Sequence, residues 1–252
     1  MKQVTSADGT TIAYETHGEG RPVICLHGTG VTRRVWTPLV SHLDGVRLLI
    51  PDRRGRGDSG DTSPWSFERE REDVVAIAET VTEPPVLLGS SYGGLLALRT
   101  AEQVSAAALV LYEPPMPREV VGTDEEYESL ADRVESLLRD GERAAAVRLF
   151  FEEATGAETI EAWPIWPECV ALAETIAREA AFVESFELGD PEITSPTLLL
   201  RGEYSESYLR AGIDILAERL PETQTVEIPA GHAGVATAPR EVAAAIRGLL
   251  TR

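Results

Sequence analysis

The sequence predicts an α/β fold, a mostly parallel sheet flanked by helices and interrupted by one helical insertion. Three observations carry that expectation. Short, continuous apolar runs recur along the chain. A Gly-x-Ser-x-Gly turn, Gly89-Ser90-Ser91-Tyr92-Gly93, stands between one such run and a helix-like stretch. Residues 113 to 196 carry helical patterning with no strand signal, although apolar runs lie on both sides.

Taken in order, Thr11 to Glu15 alternates as an early antiparallel edge strand does. The runs Val23-Ile24-Cys25-Leu26, Val46 to Ile50 and Val86-Leu87-Leu88 do not alternate, which suits strands buried on both faces of a parallel sheet. Phe67, Val74, Ile77, Ala78 and Val81 recur at helical spacing between Ser66 and the stop Glu83-Pro84-Pro85. A helix beginning after Gly93 precedes strands at 107–112, 197–201 and 225–228, and a last helix runs from Pro239 to Leu250. A structureless connection between the first two of those strands would be implausible in a compact domain. The expected organisation is therefore a core of residues 1–117 and 191–252 with a helical lid at 118–190. Tyr127, Phe150, Phe151, Trp163 and Trp166 in that lid either roof a pocket or hold the lid helices together.

Composition narrows the function class. The chain has 252 residues, 43% of them hydrophobic, which is one ordinary globular core with an insertion. A formal charge of −19 repels phosphate backbones and anionic bilayers, so neither nucleic acid nor a membrane is expected as partner. The first residues lack an apolar leader segment, and no apolar run approaches a membrane span, so the expected location is the cytoplasm. Cys25 sits inside a strand pattern and Cys169 far from it, which does not suggest a disulfide. The glycines near Gly28 lack the rest of a dinucleotide fingerprint and the histidines lack zinc-ligand spacing, so no cofactor and no metal are expected. The pattern leaves the oligomeric state open.

The chemistry centres on Ser91. In a Gly-x-Ser-x-Gly elbow the turn lifts one hydroxyl above the end of a buried strand, and side chains at the flanking glycines would strike neighbouring backbone. A serine needs a base within reach, a carboxylate to orient that base, and donors for the developing oxyanion. His232, in a loop after the last apolar strand, is the candidate base. His17 and His42 read as structural. His27 opens the turn His27-Gly28-Thr29-Gly30 and reads as a brace for it. That turn leaves the backbone N–H of Thr29 for the oxyanion, with the N–H of Tyr92 as second donor.

These residues, in this order, resemble the α/β-hydrolase superfamily, in its branch with a His-Gly-x-Gly oxyanion turn and a helical cap. Trp36, the loop Asp52-Arg53-Arg54-Gly55-Arg56-Gly57-Asp58-Ser59-Gly60 and the pair Gly231-His232 match further motifs of that branch. The resemblance implies an eight-stranded, mostly parallel sheet. It also implies a triad acid in a Gly-x-x-Asp pattern, where this chain has Gly202-Glu203-Tyr204-Ser205 and so a serine. Some members carry the acid one strand earlier, and there this chain offers Glu113, directly after an apolar strand. A carboxylate buried there unpaired would be costly. Glu113 is the expected triad acid and Glu206 the alternative.

The expected function is a serine hydrolase that cleaves an ester, thioester or lactone of a small, partly apolar molecule. Two alternatives stand beside it: a carbon–carbon bond hydrolase or acyloxy-eliminating lyase using the same pocket, and a non-catalytic ligand-binding member of the fold. A serine in the elbow disfavours the dehalogenase and epoxide hydrolase relatives, which use an aspartate there.

Overall fold

A computed structural model describes residues 1–116, 128–157 and 159–251. Eight strands form one sheet: β1 (Lys2–Thr5), β2 (Thr11–His17), β3 (Arg21–Leu26), β4 (Val46–Pro51), β5 (Val86–Ser90), β6 (Ala108–Tyr112), β7 (Thr197–Gly202) and β8 (Thr223–Ile228). Their spatial order is β1-β2-β4-β3-β5-β6-β7-β8. The first two pairings, β1 with β2 and β2 with β4, are antiparallel, and all the others are parallel. The expected fold class therefore stands. One detail differs: the Thr11 strand is second in the sheet, not its edge. The edge is β1, whose four mostly exposed residues, Lys-Gln-Val-Thr, are too short and polar to register as an apolar run.

The continuous runs have a direct packing cause. Ile24, Leu26, Leu87, Leu109 and Leu199 enter one buried cluster, whereas Val23, Cys25, Val86, Leu88, Val110 and Leu198 enter another on the opposite face. Successive strand residues point to opposite sides, so a sheet covered twice needs apolar residues at every position. The first face is covered by α2 (Phe67–Ala78), α3 (Tyr92–Thr100) and the helix Ser207–Arg219; the second by α1 (Thr37–Val40) and the C-terminal helix Pro239–Leu250. Leu26, Leu87, Leu88 and Val110 are fully buried, and each such side chain contributes about 1.5–3 kcal/mol relative to exposure. Ser66 caps α2 by accepting a hydrogen bond from Arg69 N–H, which explains why that helix begins where the apolar spacing begins.

Between β6 and β7 lie α4 (Leu130–Arg139), α5 (Arg143–Thr155), a 3₁₀ turn (Ile160–Ala162), α6 (Trp166–Ala171) and α7 (Ala173–Glu184). They share their own cluster, in which Val134, Val147, Ile160, Cys169 and Ile176 are fully buried. The expected boundary at 117/118 and the residue Tyr127 lie outside the described residues. After β7 come α8 (Ser207–Arg219), α9 (Gly234–Thr237) and α10 (Pro239–Leu250).

A buried charge cluster ties α7 to the sheet. Glu179 of α7 accepts hydrogen bonds from the guanidinium groups of Arg53 and Arg56, which follow β4, and all three side chains are almost completely buried. Glu70 lies 3.3 Å from Arg53 on the other side, so two cations face two carboxylates. Removing one member of such a cluster would strand a buried charge.

Candidate active site

The residues singled out in the sequence come from the C-terminal ends of neighbouring parallel strands. Ser91 follows β5 and precedes α3 with φ 54° and ψ −128°. A non-glycine residue held at positive φ stores about 1–3 kcal/mol of strain, and such residues cluster at functional sites. The flanking glycines are required by contact: a Cβ at Gly93 would collide with the carbonyl groups of Leu26 and His27, and one at Gly89 with the backbone of Gly93. The turn is fixed by Ser91 N–H donating to Tyr112 C=O at 2.8 Å and Gly94 N–H donating to Ser91 C=O at 2.7 Å.

Glu113 repeats the pattern one strand over. It follows β6 with φ 42° and is fully buried. Its carboxylate accepts three hydrogen bonds. Gly202 N–H donates to Oε1 at 2.7 Å, while Ser205 Oγ–H donates to Oε2 at 2.8 Å. The third donor is Nδ1–H of His232, 2.9 Å from Oε2. Because a carboxylate only accepts, that contact puts the proton on Nδ1 and leaves the Nε2 lone pair available as a base. Ser205 thus stands where the sequence motif would place an aspartate, and it donates to the carboxylate of Glu113.

The loop carrying His232 is held from two sides. Tyr204 N–H donates to Ala230 C=O at 3.0 Å, and the hydroxyl of Tyr112 donates to Gly231 C=O at 2.7 Å. A Cβ at Gly234 would run into the Tyr112 ring, so this loop packs directly on the end of β6. Burial and the neighbouring Glu113 charge push the Tyr112 phenol above its usual range, which keeps it a donor.

On the other side of Ser91, the turn His27-Gly28-Thr29-Gly30 is braced by His27. Its Nδ1–H donates to Gly28 C=O at 2.9 Å and its Nε2 accepts from Arg53 N–H at 3.1 Å. Burial first, and then the charges of Arg53 and Arg56, hold His27 well below its ordinary pKa, so the ring is neutral and its two bonds persist. Tyr92 opens α3, and its N–H has no acceptor inside the helix. Among the described residues, the Thr29 N–H has no protein acceptor either. The Arg53 guanidinium lies 4.3 Å from the Tyr92 ring centroid, linking the turn, the elbow and the α7 cluster.

Ser91, His232 and Thr29 line two cavities in common, one of about 390 Å³ and one of about 90 Å³. No hydrogen bond joins Ser91 Oγ to His232 among the described residues; catalytic pairs of this type often tighten only when substrate binds. Glu206 is not brought to this site. It is exposed at the start of α8, against Gly156 at the end of α5, and its carboxylate makes no hydrogen bond to His232. Of the expected roof residues, Phe150, Phe151 and Trp163 line the larger cavity, whereas Trp166 packs against the cluster of the lid helices.

Three participants escaped the sequence reading. Tyr112 was read only as a strand residue and Gly202 only as the start of the Gly-x-x-Asp position, and their bonds to Gly231 and Glu113 join positions far apart in the chain. Glu179 left a legible signal: it falls three residues after Ile176, on the apolar stripe of α7, and a charge on a buried stripe demands a partner.

The model of the alpha/beta hydrolase family matches residues 23–245. Among characterised relatives, a pimeloyl-[acyl-carrier protein] methyl ester esterase of Xanthomonas axonopodis is 28% identical over 229 residues, 85% of this chain and 88% of that protein. The corresponding esterase of Aliivibrio salmonicida is 32% identical over 93 residues, 36% of this chain and only 34% of that protein. Among solved structures, an alpha/beta hydrolase from Sphaerobacter thermophilus superposes with a TM-score of 0.83 at 29% identity, covering 97% of this chain and 100% of that one. A thermophilic esterase from Thermogutta terrifontis gives a TM-score of 0.81 at 23% identity over 99% and 97% of the two chains, which is a likeness of fold.

Proposed function

The chain belongs to the alpha/beta hydrolase family, and on that premise we propose that it is a serine hydrolase cleaving an ester, thioester or lactone of a small, partly apolar molecule. One observation carries this reading: the strained Ser91 shares its cavities with a histidine whose Nδ1–H is bonded to a buried, three-fold hydrogen-bonded carboxylate. Ester hydrolysis by the relatives supports it.

In the proposed reaction Ser91 Oγ attacks the carbonyl carbon while His232 Nε2 takes its proton. Glu113 holds the resulting imidazolium through Nδ1–H, and the N–H groups of Thr29 and Tyr92 receive the oxyanion. Collapse of the tetrahedral intermediate breaks the bond to the leaving group, which receives the proton from Nε2. Water then attacks the acyl-enzyme with the same base, releasing the acid and restoring Ser91. The division into a core of residues 1–117 and 191–252 and a cap of 118–190 is part of the same proposal, as is action in the cytoplasm on a small molecule.

A fluorophosphonate probe tests the reading. It should add to Ser91 alone, detected by mass spectrometry, and Ser91→Ala should abolish both labelling and turnover of a short-chain aryl ester. Turnover that survives Ser91→Ala would shift the assignment to carbon–carbon hydrolysis or elimination, in which His232 carries the chemistry. An unlabelled, inactive wild-type protein would point to a ligand-binding member of the fold.

A further inference from the structure

The two cavities that meet at Ser91 are unequal in size and in chemistry. At about 30 Å³ for each water-sized group, the larger has room for about thirteen non-hydrogen atoms and the smaller for about three. Phe150 and Ala154 of α5 border both, so this helix forms the partition between them. The larger compartment is walled by Val35, Phe151, Trp163, Ile165, Val235 and Ala236; its one charged residue, Arg34, is largely exposed and faces Glu168 at 3.6 Å. The smaller is bordered by Met116, Leu130 and Leu209, with Glu153 and Glu184 in its wall. Those two carboxylates already have partners, Glu153 with Arg133 at 2.5 Å and Glu184 with Ser129 Oγ at 2.6 Å and Ala131 N–H at 3.1 Å. Among the described residues the lining of this compartment holds these two acidic side chains and no lysine or arginine.

Resting on the hydrolase reading above, we propose that the substrate is a neutral ester whose scissile bond separates a compact group of about three non-hydrogen atoms from a bulky apolar group of up to about thirteen. The carbonyl sits at the junction, where Ser91, His232 and Thr29 face both compartments. A second bulky group would have to enter a compartment of about 90 Å³, less than a quarter of the other's volume. A carboxylate on the compact group would lose its hydration beside Glu153 and Glu184 with no cation offered in return.

Four esters test the inference by kcat/KM: ethyl acetate, 2-phenylethyl acetate, ethyl 3-phenylpropanoate and 2-phenylethyl 3-phenylpropanoate. One of the two mixed esters should exceed the doubly bulky ester by about 100-fold or more and ethyl acetate by about tenfold, in line with the cost of misfit methylenes in apolar pockets. Replacing the terminal methyl of its compact group by a carboxylate should lower kcat/KM by about 100-fold or more. Leu130→Ala, which widens only the smaller compartment, should raise the doubly bulky ester relative to the mixed one by about tenfold. Ile165→Trp, at a half-buried position of the larger one, should lower the mixed ester relative to ethyl acetate, and it reads the inference even if Leu130→Ala does not fold. A doubly bulky ester or ethyl acetate within threefold of the better mixed ester overturns the proposal. Labelling of Ser91 by fluorophosphonate without the size asymmetry overturns this inference and leaves the hydrolase reading standing; no labelling and no ester turnover overturns both.

Discussion

Ser205 donates its hydroxyl proton to Oε2 of Glu113 at 2.8 Å, the same oxygen that lies 2.9 Å from Nδ1 of His232. In the proposed triad the orienting carboxylate therefore comes from the loop after β6, where the family motif would take it from the loop after β7. Ser205, together with Gly202 N–H, completes its hydrogen bonding.

Replacing Glu113 with Gln should leave the fold intact and lower kcat by about 10³–10⁴, because the amide offers a donor to Nδ1 and turns the imidazole to the wrong tautomer. Steady-state kinetics alongside a circular dichroism melt read both halves. Turnover within tenfold of wild type would remove Glu113 from the triad.

If Glu113 orients His232 as proposed, a carboxylate at position 205 should partly substitute for it. Glu113→Ala empties the volume in front of His232, and Ser205→Asp on that background points a carboxylate into it from a side chain that already bonds the same oxygen. The double variant should recover at least about tenfold in kcat over Glu113→Ala alone, as expected for residues that act as one unit. Additive losses in the double-mutant cycle would argue that the two positions do not share a site.

Tyr112→Phe keeps the ring that packs on Gly234 and deletes only the bond to Gly231 C=O. The loss should be about 1 kcal/mol in stability. Turnover should fall about tenfold with KM nearly unchanged, because the missing bond loosens the imidazole rather than the pocket. Urea unfolding and a kcat-against-KM comparison separate the two effects; a change in KM alone contradicts a positioning role.

Glu179→Leu leaves Arg53 and Arg56 with only Glu70 opposite them. Destabilisation should reach about 3 kcal/mol, read as a lower urea midpoint at unchanged slope. A loss below about 1 kcal/mol would mean that the cluster contributes little to docking α7.

His27 makes stability depend on pH. Its pKa in the folded state is depressed by burial and by Arg53 and Arg56, so the native ring stays neutral while the unfolded ring takes up a proton near pH 6.5. The unfolded state then binds more protons, and stability falls as pH drops, by up to about 1.4 kcal/mol per unit below that point. Urea midpoints between pH 7.5 and 5 should decline more steeply for wild type than for His27→Gln; parallel profiles would contradict the assignment.

Local sequence alone determined much of this protein. Strands buried on both faces must be largely apolar, so β3, β4, β5, β6 and β7 announced themselves as runs, and the glycines of the elbow marked Ser91 because only they fit against Leu26, His27 and Gly93. Glu113 was visible as a charge at the end of an apolar strand, with Glu206, one residue past the Gly-x-x-Asp position, as the alternative. What only the tertiary structure decided are contacts made across the sheet and between distant segments. The contact of Glu113, and not of Glu206, with His232 depends on β6 lying beside β7, where Gly202 and Ser205 can bond the same carboxylate. The pairing of Glu179 with Arg53 and Arg56, and the unequal compartments on either side of Phe150, likewise follow from how the insertion packs on the core. Periodicity reports which face of an element is buried, but a hydrogen-bond partner or a cavity is a property of three-dimensional distance, which spacing along the chain does not encode.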